Sequence, residues 1–142
     1  MVSEANTIEK IYSRIEKLKG YVKILKGLQN ISLEELEKEP IKKGALERYL
    51  QLSIEACVDI AEMIISDQRL PTPQTATEAI ELLGKEDILE GSFAKEFSKA
   101  VGFRNILIHD YVKIDYQIVL QNLKNNLSDF HRFIKEILEF LK

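Results

Sequence analysis

The sequence predicts an all-α protein, an up-down bundle of about four to five main helices. Three observations predict it. Apolar residues recur at steps of three and four along most of the chain, which is the period of a helix with one buried face. Glu, Lys, Leu and Ile dominate, and only three prolines and six glycines interrupt them, a composition that favours long helices. No stretch alternates apolar and polar residues as a strand does, and no repeat of fixed period or low-complexity segment is visible. At 142 residues the expected organisation is one domain spanning 1–142, large enough to bury roughly 70% of its unfolded surface without staples.

Taken in order, Asn6-Thr7-Ile8-Glu9 reads as a helix start with an acid in the first turn. Ile8, Ile11, Ile15, Leu18, Val22 and Leu25 then form one stripe, predicting a helix from about Thr7 to Leu28. Ser32-Leu33-Glu34-Glu35 is a capping box that opens a short helix, which Pro40 is expected to end. A long helix follows from about Lys42 to Asp67, with Leu46, Tyr49, Leu50, Ser53, Cys57, Ile60, Ala61 and Ile64 on its apolar face. Leu70-Pro71-Thr72-Pro73 breaks the chain as a loop. Thr75-Ala76-Thr77-Glu78 caps a helix through about Leu83, which Gly84 is expected to end as a C-cap. Gly91-Ser92 starts another, whose expected buried residues are Phe93, Phe97, Ala100, Val101, Ile106 and Leu107. Val112-Lys113-Ile114 reads as an extended link. Asp115 then caps the last helix, Tyr116 to about Leu141, with the stripe Val119, Leu120, Leu123, Leu127, Phe130, Ile134, Ile137 and Leu141. Phe133, Leu138 and Phe140 widen that stripe, either as core or as a face for another subunit.

Composition excludes several classes. A 45% hydrophobic and 30% charged chain is an ordinary globular protein, not a disordered one. One cysteine, Cys57, cannot form an intramolecular disulfide, no secretory signal opens the sequence, and no apolar run approaches the roughly 20 residues of a membrane span. These features lead to a cytoplasmic, non-membrane expectation. The net charge of −3 argues against a generic nucleic-acid coat protein, whose phosphate contacts need a basic surplus. No metal-binding, EF-hand, phosphate-loop or serine-hydrolase pattern is present, so neither a metal site nor a cofactor is expected.

The stretch that carries chemistry is Gly102-Phe103-Arg104-Asn105-Ile106-Leu107-Ile108-His109-Asp110-Tyr111-Val112. Positions five apart in an unbroken helix lie roughly 140° apart around the axis, so Arg104 and His109 converge only if the helix ends or kinks near His109. Arginine offers a permanent fork of donors matched to phosphate oxygens. Histidine takes or gives a proton near neutral pH. Together they suit RNA cleavage without a metal, with the ribose 2′-hydroxyl as nucleophile. Tyr111 would donate a hydrogen bond or stack on a base. Asn105, four residues before His109, would orient the imidazole. The opposing reading is a surface arginine and a helix-capping histidine. On the long third helix, Arg48, Gln51, Glu55, Asp59 and Glu62 share one stripe. It reads either as a solvated face or as the border of the active groove, with Arg48, Glu55 and Asp59 supporting the catalytic groups.

At Arg104-Asn105-Ile106-Leu107-Ile108-His109-Asp110-Tyr111 the chain resembles the HepT-like group of HEPN-domain ribonucleases. Their signature is an arginine, four residues, a histidine, one residue and a tyrosine, and it stands intact here. The neighbouring Asn105 and Asp110 match as well and are counted as supporting residues. So does the layout, with long helices before the motif and one after it. The resemblance implies a HEPN-like fold, an RNA-cutting toxin with Arg104 and His109 catalytic, and a homodimer in which two motifs face each other across a cleft. It also implies a minimal nucleotidyltransferase antitoxin that attaches AMP to the motif tyrosine, here Tyr111. It does not single out Arg48, Glu55 or Asp59. Paired Arg104 residues, joined by Lys113, would concentrate positive charge in one groove of an acidic protein. The alternative is a non-catalytic nucleotide- or substrate-binding subunit that accompanies a nucleotidyltransferase; a third reading is a purely structural dimeric bundle.

Overall fold

A computed structural model describes residues 5–103 and 114–142. Its described residues form six helices and no strand: α1 (Ala5–Lys26), α2 (Leu33–Lys38), α3 (Pro40–Asp67), α4 (Ala76–Lys85), α5 (Gly91–Gly102) and α6 (Tyr116–Leu141). With α2 only one and a half turns long, five main helices remain, as the periodicity predicts. None of them is long and apolar enough to cross a membrane.

The stripe of α1 is buried at Ile11, Ile15, Leu18, Val22 and Leu25. The helix is already under way at Ala5, so Asn6 is helical instead of capping. It packs antiparallel on α3: Arg14 lies 3.6 Å from Asp59, and the Tyr21 and Tyr49 rings sit 5.9 Å apart. Ser32 caps α2 as its capping box predicts, its hydroxyl accepting the Glu35 N–H at 3.1 Å. Pro40 does not merely end that turn. It is the first residue of α3, where its missing N–H would have had no helical partner anyway.

α3 buries residues on more than one face, including Leu46, Leu50, Ile54, Cys57, Val58, Ile60, Ala61 and Ile65. A helix apolar over so wide an arc is central to its bundle, and buried residues of all six helices join one core cluster around it. The buried Ser53 hydroxyl donates to the Tyr49 carbonyl at 2.7 Å, so no polar atom is stranded there. Cys57 is fully buried, and burial pushes its thiol well above the ordinary range.

Thr75 caps α4 by accepting the Glu78 N–H, and Glu78 reaches back to the Gln74 N–H at 2.8 Å. Gly84 departs from its expected role. It is helical and buried, and the left-handed residue beyond the helix is Asp87, with φ 57°; aspartate tolerates that region better than most side chains. Gly84 is needed because α5 approaches closely: a Cβ there would lie 2.6 Å from the Ala94 Cβ. Gly84→Val is therefore expected to destabilise the fold by about 2–3 kcal/mol, read as a lower urea midpoint. Gly20, exposed on α1 with open space around it, is the contrast: Gly20→Ala is expected to stabilise by up to about 1 kcal/mol.

α5 begins at Gly91, and its cap is Glu90. The Glu90 carboxylate accepts from the Ser92 hydroxyl and from the Ser92 and Phe93 N–H groups, which together hold it down to about 2. Arg132 of α6 reaches the same carboxylate at 3.2 Å and lies over the Phe93 ring. Phe97 is the aromatic centre between α5 and α6. It stacks with Phe93 at 5.3 Å, meets Phe130 edge-on at 6.1 Å and tilts against Phe133 at 5.5 Å. Glu90 meeting Glu136 at one end, and Phe103 sharing a groove with Ile118 at the other, run the two helices antiparallel. A Cβ added at Gly102 would meet only the Thr77 hydroxyl, at an ordinary 3.7 Å, so no close approach requires a glycine there. Asp115 caps α6 as expected, accepting the Gln117 N–H at 3.0 Å. Of the residues that widen the α6 stripe, Phe133 is fully buried and belongs to the core.

Candidate functional site

Arg104, Asn105, His109, Asp110 and Tyr111 lie outside the described residues, as do Ile106, Leu107, Val112 and Lys113. Their position in the chain is nonetheless clear: they join the end of α5 to the start of α6. Phe103, the last described residue before them, and Ile114, the first after them, both pack against the core.

Beside Phe103 the structure builds a groove of about 440 Å³ between α3, α5 and α6. Leu50, Ile54, Phe103 and Ile118 contribute apolar walls, and Ile118 is half exposed. Asn122, Asn126 and Asp129 of α6 supply polar groups, and Glu96 and Lys99 of α5, paired at 3.2 Å, form the opposite rim. Burial pushes the Asp129 carboxyl above the ordinary aspartate range; Arg132 pulls it down and Glu96 raises it further.

A second feature fixes the start of α6. The Tyr116 hydroxyl donates to the Glu47 carboxylate of α3, and the Lys43 ammonium lies 4.4 Å from the centre of the Tyr116 ring. A cation over an aromatic face contributes roughly 0.5–1 kcal/mol at a part-exposed site. Burial raises the Glu47 carboxyl, with Lys43 opposing it. This three-residue tie holds the downstream end of the motif segment against the central helix.

The acidic stripe of α3 is placed elsewhere along that helix. Asp59 pairs with Arg14 of α1, both about half exposed, and Glu55 accepts from Gln51 at 3.1 Å. Glu55 and Asp59 line a shallow recess of about 40 Å³ with Arg14, Lys17 and Tyr21. Arg48 is exposed. Asp59 thus meets α1 and Glu55 meets Gln51 of its own helix, whereas the described residues beside the motif ends are Leu50, Ile54, Lys43 and Glu47 on another arc of α3. His131 is exposed, as a solvated histidine should be.

The sequence reading passed over Lys43, Glu47, Tyr116 and the polar line Asn122, Asn126, Asp129. The last three recur at i, i+4 and i+7, the spacing of one helix face, and that period was a usable signal. The Tyr116–Glu47 pair spans 69 residues of chain and left no local pattern.

Comparison with known proteins bears on this arrangement. The model of a family described as Ribonuclease HepT-like matches residues 8–137. The chain is 32% identical over 131 residues to the tRNA nuclease HepT of Aphanizomenon flos-aquae, covering 92% of this chain and 89% of that one. It is 36% identical over 88 residues to the mRNA nuclease HepT of Shewanella oneidensis, covering 62% of this chain and 66% of that one. Its fold is similar to a tri-AMPylated Shewanella oneidensis HEPN toxin in complex with MNT antitoxin, with a TM-score of 0.82 and 28% identity over 91% of this chain and 96% of the other. A toxin–antitoxin crystallised with AMP-PNP gives a TM-score of 0.83 at 27% identity, over 91% of this chain and 97% of that one.

Proposed function

The chain belongs to the HepT-like ribonuclease family, and from that premise we propose that it is a metal-independent endoribonuclease, the toxin of a toxin–antitoxin pair whose antitoxin is a minimal nucleotidyltransferase. One observation carries the proposal: the intact Arg104-x4-His109-x-Tyr111 pattern joins α5 to α6 in a fold that superposes on a HEPN toxin over nine-tenths of its length. The protein works in the cytoplasm as a single domain of residues 1–142, paired with a second copy so that two motifs share one cleft.

In this mechanism His109 takes the proton of a ribose 2′-hydroxyl, whose oxygen then attacks the adjacent phosphorus. The bond from phosphorus to the 5′-oxygen breaks, and that oxygen leaves with the proton that the His109 imidazolium gives back. The products are a 2′,3′-cyclic phosphate and a 5′-hydroxyl end. Arg104 stabilises the charge that grows on the non-bridging oxygens, and its forked donors suit two of them at once. Asn105 and Asp110 support the histidine. No step calls for a Lewis acid, because the nucleophile is already part of the substrate. AMP joined to Tyr111 by the antitoxin would place a phosphodiester charge and a nucleoside two residues from His109, in the path of the RNA. The AMPylated state of the similar HEPN toxin supports this regulation. The α3 stripe of exposed Arg48 and half-buried Glu55 and Asp59 is assigned a supporting role, with no direct contact with substrate.

The test is cleavage of RNA by the purified chain in excess chelator. Equal rates with and without chelator are expected, and a 2′-deoxy substitution at the cut position should stop the reaction. Loss of cleavage in chelator with recovery on adding a divalent metal would remove the metal-independent mechanism.

A further inference from the structure

We propose that the groove between α3, α5 and α6 is a nucleobase subsite that accepts an amino-bearing base of the RNA, adenine or cytosine, and rejects uracil. The inference deepens the nuclease reading and rests on it for the approach of the RNA chain. Phe103 in the groove wall immediately precedes Arg104, the residue assigned to the phosphate, in the chain. Its volume of about 440 Å³ falls within the roughly 300–1,000 Å³ of small-molecule sites. Phe103 and Ile118 offer apolar surface to the faces of a base, and single-stranded RNA is commonly read by stacking plus edge hydrogen bonds.

The polar groups decide which base. Among the described residues, the side chains of Asn122, Asn126 and Asp129 make no hydrogen bond, although Asn126 and Asp129 are half-buried. Part-buried polar groups without partners cost stability unless something else satisfies them. An asparagine amide matches the donor and acceptor edge of adenine, and an ionised carboxylate accepts from the exocyclic amine of cytosine or adenine. Uracil presents a carbonyl oxygen at that position, and a carboxylate facing it repels it. Among the described lining residues the charges favour a base over a phosphate: Asp129 and Glu96 outnumber Lys99, which is already paired with Glu96. They also disfavour a second copy of the chain, which would bury three unpaired polar side chains.

The test uses the chain carrying His109→Ala, in which cleavage is too slow to consume the ligand during the measurement, and RNA hexamers of A, C or U at fixed salt. Fluorescence anisotropy is expected to show A and C bound about tenfold more tightly than U. Asp129→Asn in the same background should raise affinity for U, because the amide N–H can donate to the uracil carbonyl. Asn126→Leu should weaken binding of A. Equal affinity for all three hexamers, or Asp129→Asn with an unchanged preference, overturns the subsite. A shift of Asp129→Asn to monomer in sedimentation, with base preference unaltered, also overturns it and gives the groove to a second copy. Failure of the nuclease reading looks different: the wild-type chain would leave RNA intact while the hexamer preference persisted.

Discussion

His109→Ala is expected to lower RNA cleavage by roughly 10³-fold while leaving the helical circular-dichroism spectrum unchanged. The magnitude is that of removing a positioned proton-transfer group, typically 10²–10⁴-fold. The fold should be indifferent, because the described residues of α1 to α6 already share one core cluster. In cells, expression of the wild-type chain without its antitoxin should arrest growth, and the variant should not. Arg104→Ala is expected to cost about 10²–10³-fold, and Arg104→Lys to recover only part of it, since a lysine keeps the charge but loses the fork. If both groups act in one transition state, the double variant should lose far less than the product of the two single losses. Undiminished cleavage by the His109 variant would refute the catalytic assignment outright.

Phe97→Ala should be the most destabilising single truncation, at about 3–5 kcal/mol. Phe97 is 1% exposed and touches Phe93, Phe130 and Phe133, so its removal leaves a cavity walled by three rings that cannot all close in. Against a typical total stability of about 5–15 kcal/mol such a loss is a large fraction. Because α5 and α6 flank the motif, activity should fail at a lower temperature along with the fold. Urea titration gives the measurement, and the slope should stay constant if only stability has changed. Ile41→Ala is the control: at 88% exposed it should shift stability by less than about 0.5 kcal/mol. A Phe97 variant as stable as the Ile41 control would mean that the α5–α6 contact contributes little.

The helices were legible because each carries its own period and its own cap. Ser32, Thr75 and Asp115 could be read as caps from single residues, since a side-chain oxygen two or three residues ahead of free N–H groups has one evident use. Two of the departures from expectation, Pro40 opening α3 as well as ending α2 and Gly84 lying inside α4, share a cause. Both residue types break helices in isolation, and both are kept here by their surroundings: Pro40 by its place in the first turn, Gly84 by the approach of Ala94 from a helix that comes later in the chain. The Glu90 cap was overlooked because glutamate is an uncommon N-cap; its partner Arg132 lies 42 residues away. The motif itself was plain, as three residue types at fixed spacing are readable without a fold. The direction of the α3 stripe was not. Helical phase tells which residues share a face, but only the packing of α1 shows that Asp59 meets Arg14.

The sealed position of Cys57 has a practical corollary. A thiol with no solvent contact and a strongly disfavoured thiolate reacts slowly with maleimides. A cysteine introduced at the half-exposed Ile118 would then be the one fast-labelling sulfur in each copy, with no need to replace the native one. In the proposed dimer, paired spin labels at that position would report the distance between the two copies directly, with the interior of each untouched.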